Sequence, residues 1–149
     1  MKYFEDSILD KKLVYPGAYE LTEENIIRMG EEWDPQPFHV DKEAAKESYF
    51  GGLVACTTHL FGISSKLCSS GTTQWATVSA LGTTDVKNHA PARPGDVLTL
   101  HATCISKRES KSKPELGIVE YHTALINQND EVVFSYVASA LHRKRPRNG

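Results

Sequence analysis

The run Leu53-Val54-Ala55-Cys56-Thr57-Thr58-His59-Leu60-Phe61-Gly62-Ile63 holds no Asp, Glu, Lys or Arg, and the first charge beyond it is Lys66. A helix that is apolar nearly all round is one wrapped by other structure, not one lying on a surface. The run therefore predicts the central helix of the domain. Downstream of it the hydrophobic period changes from helical to alternating. Trp75 to Asp85 is β-prone and ends in the loop Asn88 to Asp96. Val97 to Ile105 alternates, with Val97, Thr99, His101 and Thr103 on one side and Leu98, Leu100, Ala102 and Cys104 on the other. Gly117 to Ile126 and Glu131 to His142 are rich in Val, Tyr, Ile and Thr and are joined by the turn Asn127-Gln128-Asn129-Asp130,. Short connections make such strands antiparallel neighbours. The fold class expected is α+β, an antiparallel sheet curling around one buried helix.

Upstream, Leu13 to Leu21 reads as a turn and a short edge strand. Thr22 is placed to cap a helix, with Glu23 and Glu24 set well for its dipole,. Ile26, Ile27, Met29 and Trp33 give that helix an apolar face, and the prolines beyond Asp34 stop it,. Asp41 is the next expected cap, for a second helix from Lys42 to about Ser48. Between the two helices lies Trp33-Asp34-Pro35-Gln36-Pro37-Phe38-His39-Val40-Asp41. On a straight helix, at roughly 100° per residue, Asp34 and His39 would stand about 140° apart. The two prolines replace that arrangement with a stiff, extended turn, able to aim a carboxylate and an imidazole into one cavity. Such a pair is what general acid–base chemistry needs. By itself the stretch equally fits a Pro-rich connector whose Asp caps a helix and whose His is solvated.

Composition narrows the classes of function. The chain has 149 residues, 40% hydrophobic and 24% charged, which fits one soluble domain over residues 1–149, without internal repeats or a low-complexity linker,. A formal net charge of −2 leaves no general footprint for nucleic acid or an anionic membrane,. Cys56, Cys68 and Cys104 are odd in number and lack C-x-x-C spacing, which argues against a disulfide framework or a zinc ribbon and fits a reducing compartment,. Acids stand where a signal peptide would be apolar, and no run of about 18 apolar residues exists, so a cytoplasmic protein with no membrane segment is expected. His89, His101, His122 and His142 show no metal-ligand spacing, and no metal site is expected,. Lys107, Arg108, Lys111 and Lys113, and the tail Arg143 to Arg147, read as solvated basic segments, with contact to a phosphate as the alternative,.

Three motifs resemble one family. Asp34-Pro35-Gln36-Pro37-Phe38-His39 is similar to the D-x-N-P-x-H of MaoC-like dehydratases, the (R)-specific enoyl-CoA hydratases. Phe50-Gly51-Gly52-Leu53-Val54-Ala55 resembles the approach to that family's central helix, and Cys56-Thr57-Thr58-His59 stands where Ser-Gly-x-His is frequent. Arg93-Pro94-Gly95-Asp96-Val97-Leu98 is similar to its R-P-G-D-x-L. The resemblance implies a hotdog fold and the reversible syn addition of water to a 2-enoyl-CoA thioester, without a cofactor. It implies that Asp34 and His39 activate the water and that backbone N–H groups around Cys56 and Thr57 meet the thioester oxygen. Gln36, Trp33, Phe38, Cys56, Thr57 and His59 are the candidate substrate-binding residues. His59 also reads as a hydrogen-bonded core histidine, and Cys56 as a small buried core residue. The departures are Gln36 for the family's Asn, Trp33 for a small residue, and Thr57 for a glycine. An inactive thioester-binding module is the alternative. A hotdog thioesterase fits less well, because no acid occurs between Glu47 and Asp85. Hotdog domains pair to cover an edge strand, so a homodimer or higher homo-oligomer is expected.

Overall fold

The structure is a computed structural model that describes residues 1–71 and 73–148. After a short 3-10 turn at Phe4–Asp6 come β1 (Lys12–Val14), β2 (Tyr19–Glu20), α1 (Glu23–Trp33), α2 (Pro37–Val40), α3 (Lys42–Lys46) and α4 (Thr57–Cys68). Four long strands follow: β3 (Thr77–Asn88), β4 (Val97–Glu109), β5 (Leu116–Ile126) and β6 (Val132–Arg143). The sheet order is β1-β4-β5-β6-β3, with β2 also pairing β4, and every one of these pairings is antiparallel. This is the antiparallel sheet around one buried helix that the change of period predicts, and the hotdog arrangement that the resemblance implies.

The alternation of β4 sets which face holds the helix. Leu98, Leu100, Ala102 and Cys104 are buried, and opposite them in register stand Leu125, Thr123 and Tyr121 of β5. Leu60, Ile63 and Leu67 of α4 pack into one core with Leu98, Leu100, Leu125, Val133 and Phe134. Burying each such side chain is worth about 1.5–3 kcal/mol. The helix starts later than the apolar run. Leu53, Val54 and Ala55 are buried but lie outside the helix, because their backbone bonds to other segments: Val54 N–H donates to Phe38 O at 3.1 Å and Ala55 N–H to Ala92 O at 2.9 Å. Cys56, with extended backbone angles, is the N-cap. Apolarity marked the buried segment and could not separate its non-helical part from its helical part. The helix is also less evenly apolar than the run suggested: Thr58, Gly62, Ser65 and Lys66 are exposed.

The other differences have equally local causes. Thr22 caps α1 by accepting from Asn25 N–H, and Asp41 caps α3 by accepting from Glu43 and Ala44 N–H groups, as expected. The helix at Lys42 stops at Lys46, and the edge segment from Leu13 forms two short strands instead of one. The third strand continues through Asn88 because the Asn88 backbone stays in register with Phe134. The stretch from Asp34 to His39 is not extended throughout. Gln36 is extended, as the residue before a proline should be, but Pro37 then opens a single helical turn at its first position,.

Candidate active site

Three segments distant in sequence are stitched together at the start of α4. Phe38 and His39 lie on α2, Val54 and Ala55 on the irregular lead into α4, and Ala92 and Arg93 on the loop before β4. Val54 joins the first two segments twice: its N–H donates to Phe38 O, and its carbonyl accepts from His39 Nδ1 at 2.6 Å. Ala55 N–H donates to Ala92 O, and the Arg93 guanidinium donates from Nη2 to Phe50 O at 2.6 Å. Asp96 accepts from Arg93 N–H, closing the turn in which Gly95 takes a φ of +92°,. The Arg-Pro-Gly-Asp segment thus braces the Phe50-Gly51 loop.

Asp34 is the C-cap of α1, and its N–H donates to Gly30 O. Its backbone carbonyl accepts from Gln36 N–H at 2.8 Å, and Gln36 O accepts from His39 N–H at 2.9 Å, so the turn is closed by its own backbone. As a result His39 Nε2 stands 3.4 Å from Asp34 Oδ2. The imidazole is buried and the Asp34 side chain is 38% exposed, leaving the acid open to solvent on one side. The His39 tautomer follows from its partner. A carbonyl only accepts, so Nδ1 must carry the proton donated to Val54,. In the neutral ring, Nε2 is then an acceptor facing a carboxylate, another acceptor. Such a pair is satisfied by a third group that donates to both, and a water molecule does this.

Gly30 makes this approach possible. A Cβ there would lie 2.9 Å from His39 Cβ and 3.0 Å from His39 O. A glycine in the middle of a helix is locally unfavourable, and here it lets α1 lie directly against the turn that carries the imidazole. Phe38 continues the wall: its ring centroid is 4.6 Å from that of His39 and 5.2 Å from that of Phe50.

His39 and Phe38 open into a chamber of about 460 Å³, bounded also by Tyr49, Phe50, Val54, Ala55, Thr57, Leu60 and the segment from Asn88 to Ala92. Its size falls within the usual range for a small-molecule site. Thr57, the first residue of α4, lines it and accepts from Asn88 Nδ2 at 3.1 Å. Among the described residues, neither Cys56 nor Thr57 N–H has a hydrogen-bond acceptor. N–H groups at a helix start carry partial positive charge.

The structure does not gather every candidate into the chamber. Trp33 is 59% exposed at the end of α1 and Gln36 is exposed; neither lines the chamber. Cys56 is fully buried, a core position and a cap. His59 faces away, toward Tyr19, with Nε2 3.4 Å from the Tyr19 hydroxyl and the two rings edge to face. Burial, aided by the Arg28 charge, lowers its pKa to about 4, so it is neutral near pH 7. The sequence reading missed Asn88 and His89, which line the wall of the chamber. His89 Nε2 is held 2.6 Å from Ser135 Oγ. Their position just before the Arg93 motif was the only signal available. The basic tail lies at the far end of the sheet, and two of its four basic residues are paired: Lys144 meets Glu109 at 2.7 Å and Arg145 meets Asp6 at 2.8 Å. Among the described residues, no group of three His, Cys, Asp or Glu could hold a metal ion, and no helix is long and apolar enough to cross a membrane.

Comparison with known proteins adds a second line of observation. The model of the MaoC like domain matches residues 6–125. A crystal structure of the MaoC-like dehydratase from Rhodospirillum rubrum is 33% identical, with a TM-score of 0.89 over 97% of this chain and 98% of that one. The R-hydratase PhaJ1 from Pseudomonas aeruginosa shares the fold at 17% identity, with a TM-score of 0.72 over 96% of this chain and 86% of that one. An uncharacterised protein of Bacillus subtilis, YdeM, is 28% identical over 135 residues, covering 85% of this chain and 89% of that protein.

Proposed function

The chain belongs to the MaoC-like domain family, whose function is of the hydratase/dehydratase kind, and from that premise we propose that it catalyses the reversible syn addition of water to a 2-enoyl-CoA thioester. The observation that carries this reading is the Asp34–His39 pair, two acceptors 3.4 Å apart, of which His39 lines the chamber and Asp34 does not. A water held between them donates a hydrogen to each, so its lone pairs point away from the pair toward the chamber. As the water oxygen bonds to C3 of the enoyl group, one of its protons passes to the pair and the other stays on the new hydroxyl. A proton returns from the same side to C2, which makes the addition syn and leaves the pair unchanged over the cycle. General acid–base assistance of this sort contributes roughly 10²–10⁴ in rate.

Between these events the thioester oxygen carries negative charge. The Thr57 N–H, at the start of α4 on the chamber wall, is the donor for it, whereas Cys56 is wholly buried and does not line the chamber,. The Thr57 side chain is tied to Asn88, which fixes where the β-branched group sits. The familial glycine is thus replaced by a residue whose bulk is held at a defined place. Gln36 acts through its backbone, which closes the turn between Asp34 and His39. Addition of water transfers no electrons, so the reaction asks for no redox cofactor.

We propose further that the active form is a homodimer. Among the described residues β3 pairs only with β6, which leaves its other edge free, and Val78, Leu81 and Val86 on it are 44%, 51% and 43% exposed. An unpaired edge of this length with apolar side chains is a surface that proteins normally cover.

Loss of the enoyl-thioester absorbance with crotonyl-CoA tests the activity. Wild type is expected to consume the band and Asp34→Asn to leave it nearly unchanged. Equal rates for the two proteins, or binding of the thioester without turnover by wild type, would reject this assignment in favour of an inactive binding module.

A further inference from the structure

A second cavity of about 190 Å³ lies at the opposite end of α4. It is bounded by Tyr15, Cys68, Trp75, Tyr121, Tyr136 and His142, with small residues of the sheet between them, and it shares no lining residue with the chamber at His39. Its phenols are neutral: burial raises the pKa of Tyr15, Tyr121 and Tyr136, that of Tyr121 to about 12. Burial also lowers the pKa of His142, favouring its neutral form.

The two chambers lie along one helix face. Thr57 lines the first and Cys68 the second, and Phe61 and Ser64 fall between them at helical spacing, over a distance of roughly 16 Å,. On β6 the order is the same. Phe134 pairs with Asn88 beside the first chamber, and Tyr136, two residues on and on the same face, lines the second. Beside these intervening positions three aromatic rings close on one another, of which Tyr136 lines the second chamber while Phe61 and Phe134 line neither. Phe61 stands 4.9 Å from Phe134 and 5.1 Å from Tyr136, and Phe134 stands 5.6 Å from Tyr136, measured between ring centroids. Three mutually packed rings of this kind attract one another beyond their burial, so they resist being parted by a flexible chain,.

We infer that the Phe61–Phe134–Tyr136 cluster is the specificity-determining wall of the acyl site: it confines the enzyme to short enoyl groups and keeps the second chamber out of reach of the substrate. This rests on the hydratase reading above. An acyl group whose thioester lies at Thr57 and whose double bond lies at His39 extends along α4 until it meets the Phe61 ring. A short chain ends before that point, whereas a longer one has to displace the ring from Phe134 and Tyr136. Phe61 is the weak point of the wall, being half-buried where Phe134 is wholly buried.

The test compares hydration of crotonyl-CoA and trans-2-octenoyl-CoA by wild type, Phe61→Ala and Phe61→Leu. Wild type is expected to favour crotonyl-CoA. Phe61→Ala is expected to join the chambers and raise the octenoyl-to-crotonyl ratio of kcat/KM about tenfold or more, the scale on which apolar pockets discriminate chain length. Phe61→Leu, the milder change, is expected to shift the ratio the same way and decides the matter should Phe61→Ala fail to fold. Wild type using both thioesters equally well, or a folded Phe61→Leu with an unchanged ratio, overturns the wall. Wild type turning over neither thioester overturns the hydratase reading, and the inference with it.

Discussion

The proton on His39 Nδ1 is committed to the Val54 carbonyl 2.6 Å away, and that one contact fixes both the tautomer and the direction in which Nε2 points. Val54 belongs to the lead into α4, so the same residue that orients the imidazole also sets where the helix N–H groups begin. The proposed acid–base pair and the proposed donor for the thioester oxygen are therefore held in one rigid frame.

His39→Asn separates the two jobs of the ring. The amide retains a donor near Nδ1 for the Val54 carbonyl but has nothing in place of Nε2. Its expected melting temperature is close to that of wild type, with a fall in kcat on crotonyl-CoA of roughly 10²–10⁴. An active variant would mean that Nε2 does not handle the proton.

Gly30→Ala places a methyl group 2.9 Å from His39 Cβ. Either α1 or α2 must shift, and overpacking of this kind costs about 1–3 kcal/mol. Because the contact is with the turn that carries His39, activity is expected to fall by more than stability alone explains, seen as a reduced kcat in protein that is still folded at the assay temperature by circular dichroism.

Acid should weaken the fold through its buried histidines. His59 has a pKa near 4 in the folded chain against an ordinary value of 6.5, and burial lowers His142 in the same direction. Below pH 6.5 the unfolded chain takes up a proton at His59 that the folded chain refuses, so stability falls as pH drops from 6.5 toward 4. His59→Gln is expected to flatten the dependence of melting temperature on pH across that window. An unchanged slope would assign it to other groups.

The exposed β3 edge bears on assembly. Light scattering on the eluted protein is expected to give the mass of a dimer, and Val78→Lys with Leu81→Lys to shift it toward monomer, since lysine is a natural deterrent to edge pairing. A wild-type protein that elutes as a monomer would contradict the proposed dimer.

Local chemistry written in the chain determined much of this molecule by itself. The caps at Thr22 and Asp41, the alternation of β4 and the apolar run from Leu53 each depend on neighbours in sequence, so they could be read there. The three motifs were legible as motifs for the same reason. Only the tertiary structure decided what they do to one another. Val54 bonds to His39, Ala55 to Ala92 and Arg93 to Phe50 across separations that no sequence period encodes. Long-range backbone bonds also decided that Leu53 to Ala55 lie outside the helix and that α4 begins at Thr57. The same holds for the side chains that do not face the chamber. Trp33, His59 and Cys56 carried suitable chemistry, but the direction of a side chain is set by the rotation of its helix against the sheet, and that rotation is fixed by packing of the whole core. Asn88 and His89 came to the chamber by the reverse route, because β3 runs on in register with Phe134 to the end of the sheet where His39 waits.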